Sequence, residues 1–74
     1  DRPGTPPHNV DAEVAVLGAI LLHGKDTLVE VQARLTHEDF YVPAHQSLFK
    51  AMIALESRGE PIDVITLHHQ LKAV

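Results

Sequence analysis

The stretch from Val14 to Leu22, V-A-V-L-G-A-I-L-L, carries no charged or polar side chain, and it constrains the fold more than any other part of the chain. An apolar run of this length suits a buried strand or a buried helix, and its internal period cannot separate the two. The flanks decide. Asn9 is a good N-cap, because its side-chain oxygen can accept from a free backbone N–H of the first turn. Asp11 and Glu13 then place negative charge where the helix dipole favours it. The reading is a helix from about Asn9 to Leu22, apolar on nearly all sides, which neighbours must cover from more than one direction. Gly18 in mid-helix costs about 1 kcal/mol relative to alanine; close approach of another helix backbone is the expected return. His23-Gly24 ends the segment, with Gly24 in the left-handed position that follows a helix.

The rest of the chain supplies amphipathic partners. Asp1 to His8 holds three of the five prolines and reads as an extended, disordered lead. After Asp26 or Thr27 as cap, Leu28, Val31 and Leu35 form one apolar stripe of a short helix. Thr36-His-Glu-Asp39 has capping-box spacing, with Asp where Glu is usual. It starts a single turn that delivers Phe40 and Tyr41 to the core. Pro43 suits the first position of a third helix, where its missing N–H removes nothing. That helix runs to about Arg58 and stops at Gly59. Leu48, Phe49, Met52, Ile53 and Leu55 face inward with Ala44, Ala51 and Ala54, while Gln46, Lys50, Ser57 and Arg58 face water. Asp63 caps a fourth helix whose stripe is Val64, Leu67, Leu71 and Val74. Four helical segments, short connections and no strand predict an all-α fold, a small orthogonal bundle without a sheet. The last stripe is still running at Val74, so the helical unit, residues 9–74, is expected to be truncated on its C-terminal side.

Composition narrows the function. At 74 residues the chain is one domain at most. It has no cysteine, hence no disulfide and no thiolate metal site. Its apolar run falls far short of the ~20 residues that span a bilayer, and the lead lacks a signal peptide's apolar core. A soluble intracellular protein is the expectation. The formal charge of −4 has the wrong sign for a nucleic-acid footprint, so neither nucleic acid nor membrane is an expected partner.

Motifs for chemistry are weak. Gly18 to Asp26 nears the phosphate-loop pattern, but has one residue too many between the glycines and Asp26 where a hydroxyl must reach Mg²⁺. His37 and His45, with Glu38 and Asp39 nearby, invite a zinc reading, yet no zinc spacing is present, and His68-His69 diverge on a helix. Ser47 has no strained elbow around it and His45 lies on another face, which argues against nucleophilic catalysis. Solvated histidines and serines are the plainer account, and neither metal nor cofactor is expected. A helix-turn-helix reader built on the last two helices would present Thr66, His68, His69, Gln70 and Lys72. Its turn, Arg58 to Asp63, is longer than the usual 3–4 residues.

Taken together, three blocks carry a family resemblance. P-P-H-N-V-D-A-E-V-A-V-L-G-A-I-L-L (Pro6 to Leu22), D-F-Y-V-P-A-H-Q-S-L-F-K-A-M (Asp39 to Met52) and G-E-P-I-D-V-I-T-L (Gly59 to Leu67) resemble, in order and spacing, the N-terminal domain of DnaB-type bacterial replicative helicases. The resemblance runs from Pro6 to about Leu71. It implies a non-catalytic helical domain that pairs with neighbouring helicase subunits in a hexameric ring and docks primase, in the bacterial cytoplasm. ATP hydrolysis and 5′–3′ translocation would belong to a separate RecA-like domain. Primase's own helicase-binding domain, thought to share this kind of fold, is the rival identity. Within the blocks, Asn9, Pro43, Gly59 and Asp63 read as structural caps and stops. Asp11, Glu13, Gln70 and Lys72 are the candidate partner-facing residues.

Overall fold

The computed structural model describes residues 10–72. It contains four α-helices, α1 (Val10–His23), α2 (Lys25–Gln32), α3 (Pro43–Ser57) and α4 (Val64–Lys72), with one 3-10 turn (His37–Asp39) before α3. No strand is present among the described residues, so the expected all-α architecture holds. Asn9, the expected cap of α1, and Val74, the expected end of the α4 stripe, lie outside the described residues, as does the proline-rich lead.

The centre of the fold is α3, not α1. α3 packs against α1, α2, α4 and the 3-10 turn, and it alone buries Phe49, Ala51, Met52 and Leu55. Around them close Leu17 and Ile20 of α1, Leu28 of α2, Phe40, Ile62, and Leu67 of α4. The expectation that α1 would be covered from several directions is corrected. Only one side of it meets the fold, and Val10, Val14, Leu21 and Leu22 stay exposed. Gly18 is exposed too, with nothing within 4 Å of the place a Cβ would occupy. No other described helix brings its backbone close to it. All-round apolarity states that cover is needed, but not which chain provides it.

Gly24 turns the chain directly from α1 into α2. Its φ of 87° and ψ of −153° place it in a region essentially reserved for glycine, distinct from the left-handed helical conformation the sequence suggests. Its N–H donates to Ile20 O at 2.7 Å and its carbonyl accepts from Leu28 N–H at 3.2 Å. One residue thus ends α1 and caps α2, which displaces Asp26 and Thr27 from the expected capping role. Leu28 is fully buried, Val31 and Leu35 are half-buried, and Leu35 lies beyond the end of α2.

α3 begins at Pro43 and ends in a Schellman arrangement. Gly59 N–H donates to Glu56 O (3.0 Å), Glu60 N–H to Leu55 O (2.9 Å), and Gly59 takes φ 74°. Two expectations for this region fail. Ala44 points outward, and Tyr41 is exposed while only Phe40 enters the core, its ring 5.0 Å from that of Phe49. At the start of α4, Asp63 Oδ1 accepts from Thr66 N–H at 2.8 Å. α4 packs on α3 through Leu67, flanked by half-buried Thr66 and Gln70; Val64 and Leu71, expected in the core, are exposed. A helix packed chiefly on one neighbour buries mainly the strip that faces it.

Candidate interaction surfaces

The loop entering α3 has a hydrogen-bonding problem. Val42 occupies the N-cap and has no side chain that can cap. Glu13 solves it from across the fold. Its Oε2 accepts from Tyr41 N–H at 2.7 Å, and its Oε1 accepts from Val42 N–H at 3.4 Å and meets His45 Nδ1 at 2.7 Å. With the carboxylate ionised, Nδ1 is the nitrogen that carries the proton. Burial pushes the Glu13 carboxyl up, but the Tyr41 N–H, the His45 side chain and the Val42 N–H together outweigh it and hold the group below its ordinary value. Charge at this place also suits the dipole of α3. From the other side, Gln46 Nε2 donates to Phe40 O at 2.7 Å, so Gln46 does not face water as expected. The loop between Phe40 and Val42 is stapled twice, which seats Phe40 on Phe49.

Glu13 is therefore no partner-facing residue. It is 9% exposed and its acceptors are spent on holding α1 to α3. Its place in the first turn of α1 is legible locally, but its partners Tyr41, Val42 and His45 lie about thirty positions along the chain and leave no local signal. His45, one arm of the zinc reading, is committed to the same latch. No group of three or more His, Cys, Asp or Glu is gathered for a metal ion among the described residues.

The remaining candidates lie apart. Asp11 is exposed in the first turn of α1 and Lys72 in the last turn of α4. Gln70 is half-buried, and its Oε1 accepts from Arg58 Nη2 at 2.6 Å while Arg58 Nε pairs with Glu60 at 3.0 Å. That bridge ties the end of α3 to α4. Gln70 also lines a shallow cleft of about 380 Å³ with Ser47, Lys50, Ala51 and Leu71. The helix-turn-helix reading loses two of its five readers here. Thr66 Oγ1 is held at Pro61 O (2.8 Å) and against Asp63, and Gln70 is bound to Arg58. The phosphate-loop reading fares similarly, because Gly18 to His23 is regular helix, whereas that loop needs backbone N–H groups turned outward.

What sequence reasoning missed is apolar, not polar. The exposed side of α1 and the residues Val64, Ile65 and Leu71 on α4 leave large hydrophobic side chains in the open. The signal was present in the uniform apolarity of Val14 to Leu22.

Comparison with known proteins settles the family. The family model described as the DnaB-like helicase N terminal domain matches residues 5–74. The chain belongs to that family. The replicative DNA helicase DnaB of Geobacillus stearothermophilus is 46% identical over 68 residues, 92% of this chain and 15% of that protein. Its counterpart in Mycobacterium leprae is 46% identical over 66 residues, 89% of this chain and 11% of that one. The crystal structure of the N-terminal domain of DnaB helicase from Mycobacterium tuberculosis superposes with a TM-score of 0.86 at 43% identity, covering 93% of this chain and 47% of that chain. The chain thus spans about a seventh or less of the helicases it matches, and about half of the solved domain. These relatives are helicases by name, so the resemblance first read from three blocks is the right one and the primase domain is not. No described helix is long and apolar enough to cross a membrane.

Proposed function

We propose that this DnaB-like N-terminal domain is a non-catalytic interaction module, through which a replicative helicase assembles its ring and docks primase in the bacterial cytoplasm. The observation that carries the reading is the superposition on the solved DnaB N-terminal domain. The internal chemistry supports it: the buried polar groups, Glu13 foremost, are engaged in joining helices, while the outward surfaces offer apolar and charged side chains suited to protein contact. The ATPase function belongs to the part of the helicase outside this chain, and Asp11, Gln70 and Lys72 are the candidate contacts.

The test is titration of the chain with bacterial primase in a calorimeter. Binding is expected, weakened several-fold by Lys72→Glu with the helical spectrum unchanged. Absence of binding to primase, together with absence of association with the helicase's own subunits, overturns the reading. A fluorescent ATP analogue held with micromolar affinity would overturn its non-catalytic half.

A further inference from the structure

After Gly24, α2 folds back on α1 and leaves a groove between the two. Val16 of α1 lines one side of it. Glu30 and Val31 of α2, with Ala33, Arg34 and Leu35 just after it, line the other, around a space of about 540 Å³. A space of that size takes a ligand or a short stretch of extended chain. Val16, Val31 and Leu35 are half-buried, so the floor is aliphatic and only partly covered by the described residues. α2 is weakly anchored without further cover, since Leu28 is the only residue it buries. The rim carries unspent charge. Glu30 and Arg34 are both exposed, and neither forms an ion pair among the described residues.

The occupant that fits is the segment attached to α1 itself. Residues 1–9, D-R-P-G-T-P-P-H-N, lie outside the described residues and lead directly into α1. Their reach matches the groove. With residues 8–9 given to reversing direction, residues 3–7 span about 12–15 Å in polyproline II geometry, at ~3.1 Å per residue. Val16 stands about 9 Å along α1 from Val10, at ~1.5 Å per residue, which sets it opposite the middle of P-G-T-P-P. The composition matches too. Three prolines offer apolar rings to Val16, Val31 and Leu35, and their fixed φ lowers the entropy lost on docking. Arg2, the lead's only arginine or lysine, then comes to the Glu30 side of the groove with the opposite charge. A tethered segment also acts at an effective concentration near the millimolar range, which favours it over any dilute partner.

We propose that residues 3–7 dock as an extended strap in the groove between α1 and α2, with Arg2 pairing with Glu30. The strap covers Val16, Val31 and Leu35 and ties the end of α2 to α1. It keeps the groove closed to other apolar segments until it lifts.

The chain has no cysteine, so Asp1→Cys accepts a single nitroxide, ahead of the docked residues, and the full chain is read by amide NMR. A docked strap carries the label away from the start of α1. Val16, Ala19, Glu30 and Val31 should therefore lose more signal than Asp11 and Ala12. Glu30→Arg should lower the docked-to-free ratio about twofold to fivefold, the scale of an exposed ion pair, and adding Arg2→Glu should restore it. The amide spectrum itself verifies that each variant keeps its fold. Signal loss that is greatest at the start of α1, or even over the surface, overturns the proposal. So does signal loss in a nitroxide-free chain mixed with the labelled one, which would put the segment on a second copy. Charge reversal without effect, or without rescue, overturns the pairing of Arg2 with Glu30.

Discussion

Replacing Glu13 tests the latch that fixes the geometry of the fold. Two of its contacts are short, Tyr41 N–H and His45 Nδ1 at 2.7 Å each, and the third, Val42 N–H at 3.4 Å, is marginal. A hydrogen bond to a charged group contributes about 1.5–3 kcal/mol. The contacts are only part-buried, with Tyr41 beside them 57% exposed, so the low end applies, and Glu13→Ala should cost about 3 kcal/mol. A chain of this size is stable by roughly 4–11 kcal/mol in all, so the variant should fold but melt early. In urea unfolding followed by circular dichroism, the midpoint should fall by roughly 2–3 M at an m-value near 1 kcal/mol/M. Glu13→Gln keeps one acceptor oxygen but turns an amide N–H₂ toward a donor, and should lose about half as much. Asp11→Ala, two positions away on the same helix, should change stability by no more than about 1 kcal/mol, the dipole effect alone. If Glu13→Ala unfolds within about 0.5 kcal/mol of the parent, the carboxylate is not holding α3 and the account of the core is wrong.

The same carboxylate sets a pH dependence. Its folded pKa lies below its ordinary value, so the unfolded chain binds more protons in between, and stability is full above the ordinary glutamate value and lost as pH falls through the lowered one. Urea midpoints measured from about pH 6 to about pH 3 should drop more steeply for the parent than for Glu13→Gln. Phe49→Ala removes a fully buried ring that packs at a tilt against Phe40 and should cost about 3–5 kcal/mol, enough to leave the chain largely unfolded near body temperature. The two glycines should respond with opposite signs. Gly59→Ala forces a side chain onto φ 74° and should destabilise by about 1–2 kcal/mol, whereas Gly18→Ala enters open space and should raise the thermal midpoint of the dilute chain, by about 1 kcal/mol of helix propensity.

Local signals in the sequence were legible because local physics produces them. Pro43 at the start of α3, Gly59 after its end and Asp63 before α4 each act on backbone groups within a turn of themselves. Gly24 was legible as a break but not as a cap, since only the direction in which α2 leaves decides which residue closes it. The errors cluster where a residue's role depends on something distant. Glu13 looked like an ordinary first-turn acid, and Tyr41, Val42 and His45 gave no hint that they would need it. Val64 and Leu71 made a sound apolar stripe, but α4 packs chiefly on α3, and of that stripe only Leu67 is buried there.

The displacement of α1 from the centre of the fold has the same origin and a functional consequence. Uniform apolarity is a statement about total demand for cover, and the chain's own neighbours meet it on one side only. α3 could take the central place because its apolar positions include small residues, Ala51 and Ala54, that let four elements approach it. Once α3 is the core, the greasiest helix is left at the margin with half its surface facing out. For a module proposed to act through protein contacts, that is a serviceable outcome. The inward half of α1 holds the domain together through Leu17, Ile20 and Glu13, and the outward half remains available to another polypeptide. The two halves are separable by substitution: changes at Glu13 should alter stability without a specific effect on association, and changes at Leu22 should alter association with the fold intact. If the Leu22→Glu chain instead unfolded as readily as Glu13→Ala, the outward face would belong to the core and the division of α1 into two working sides would fail.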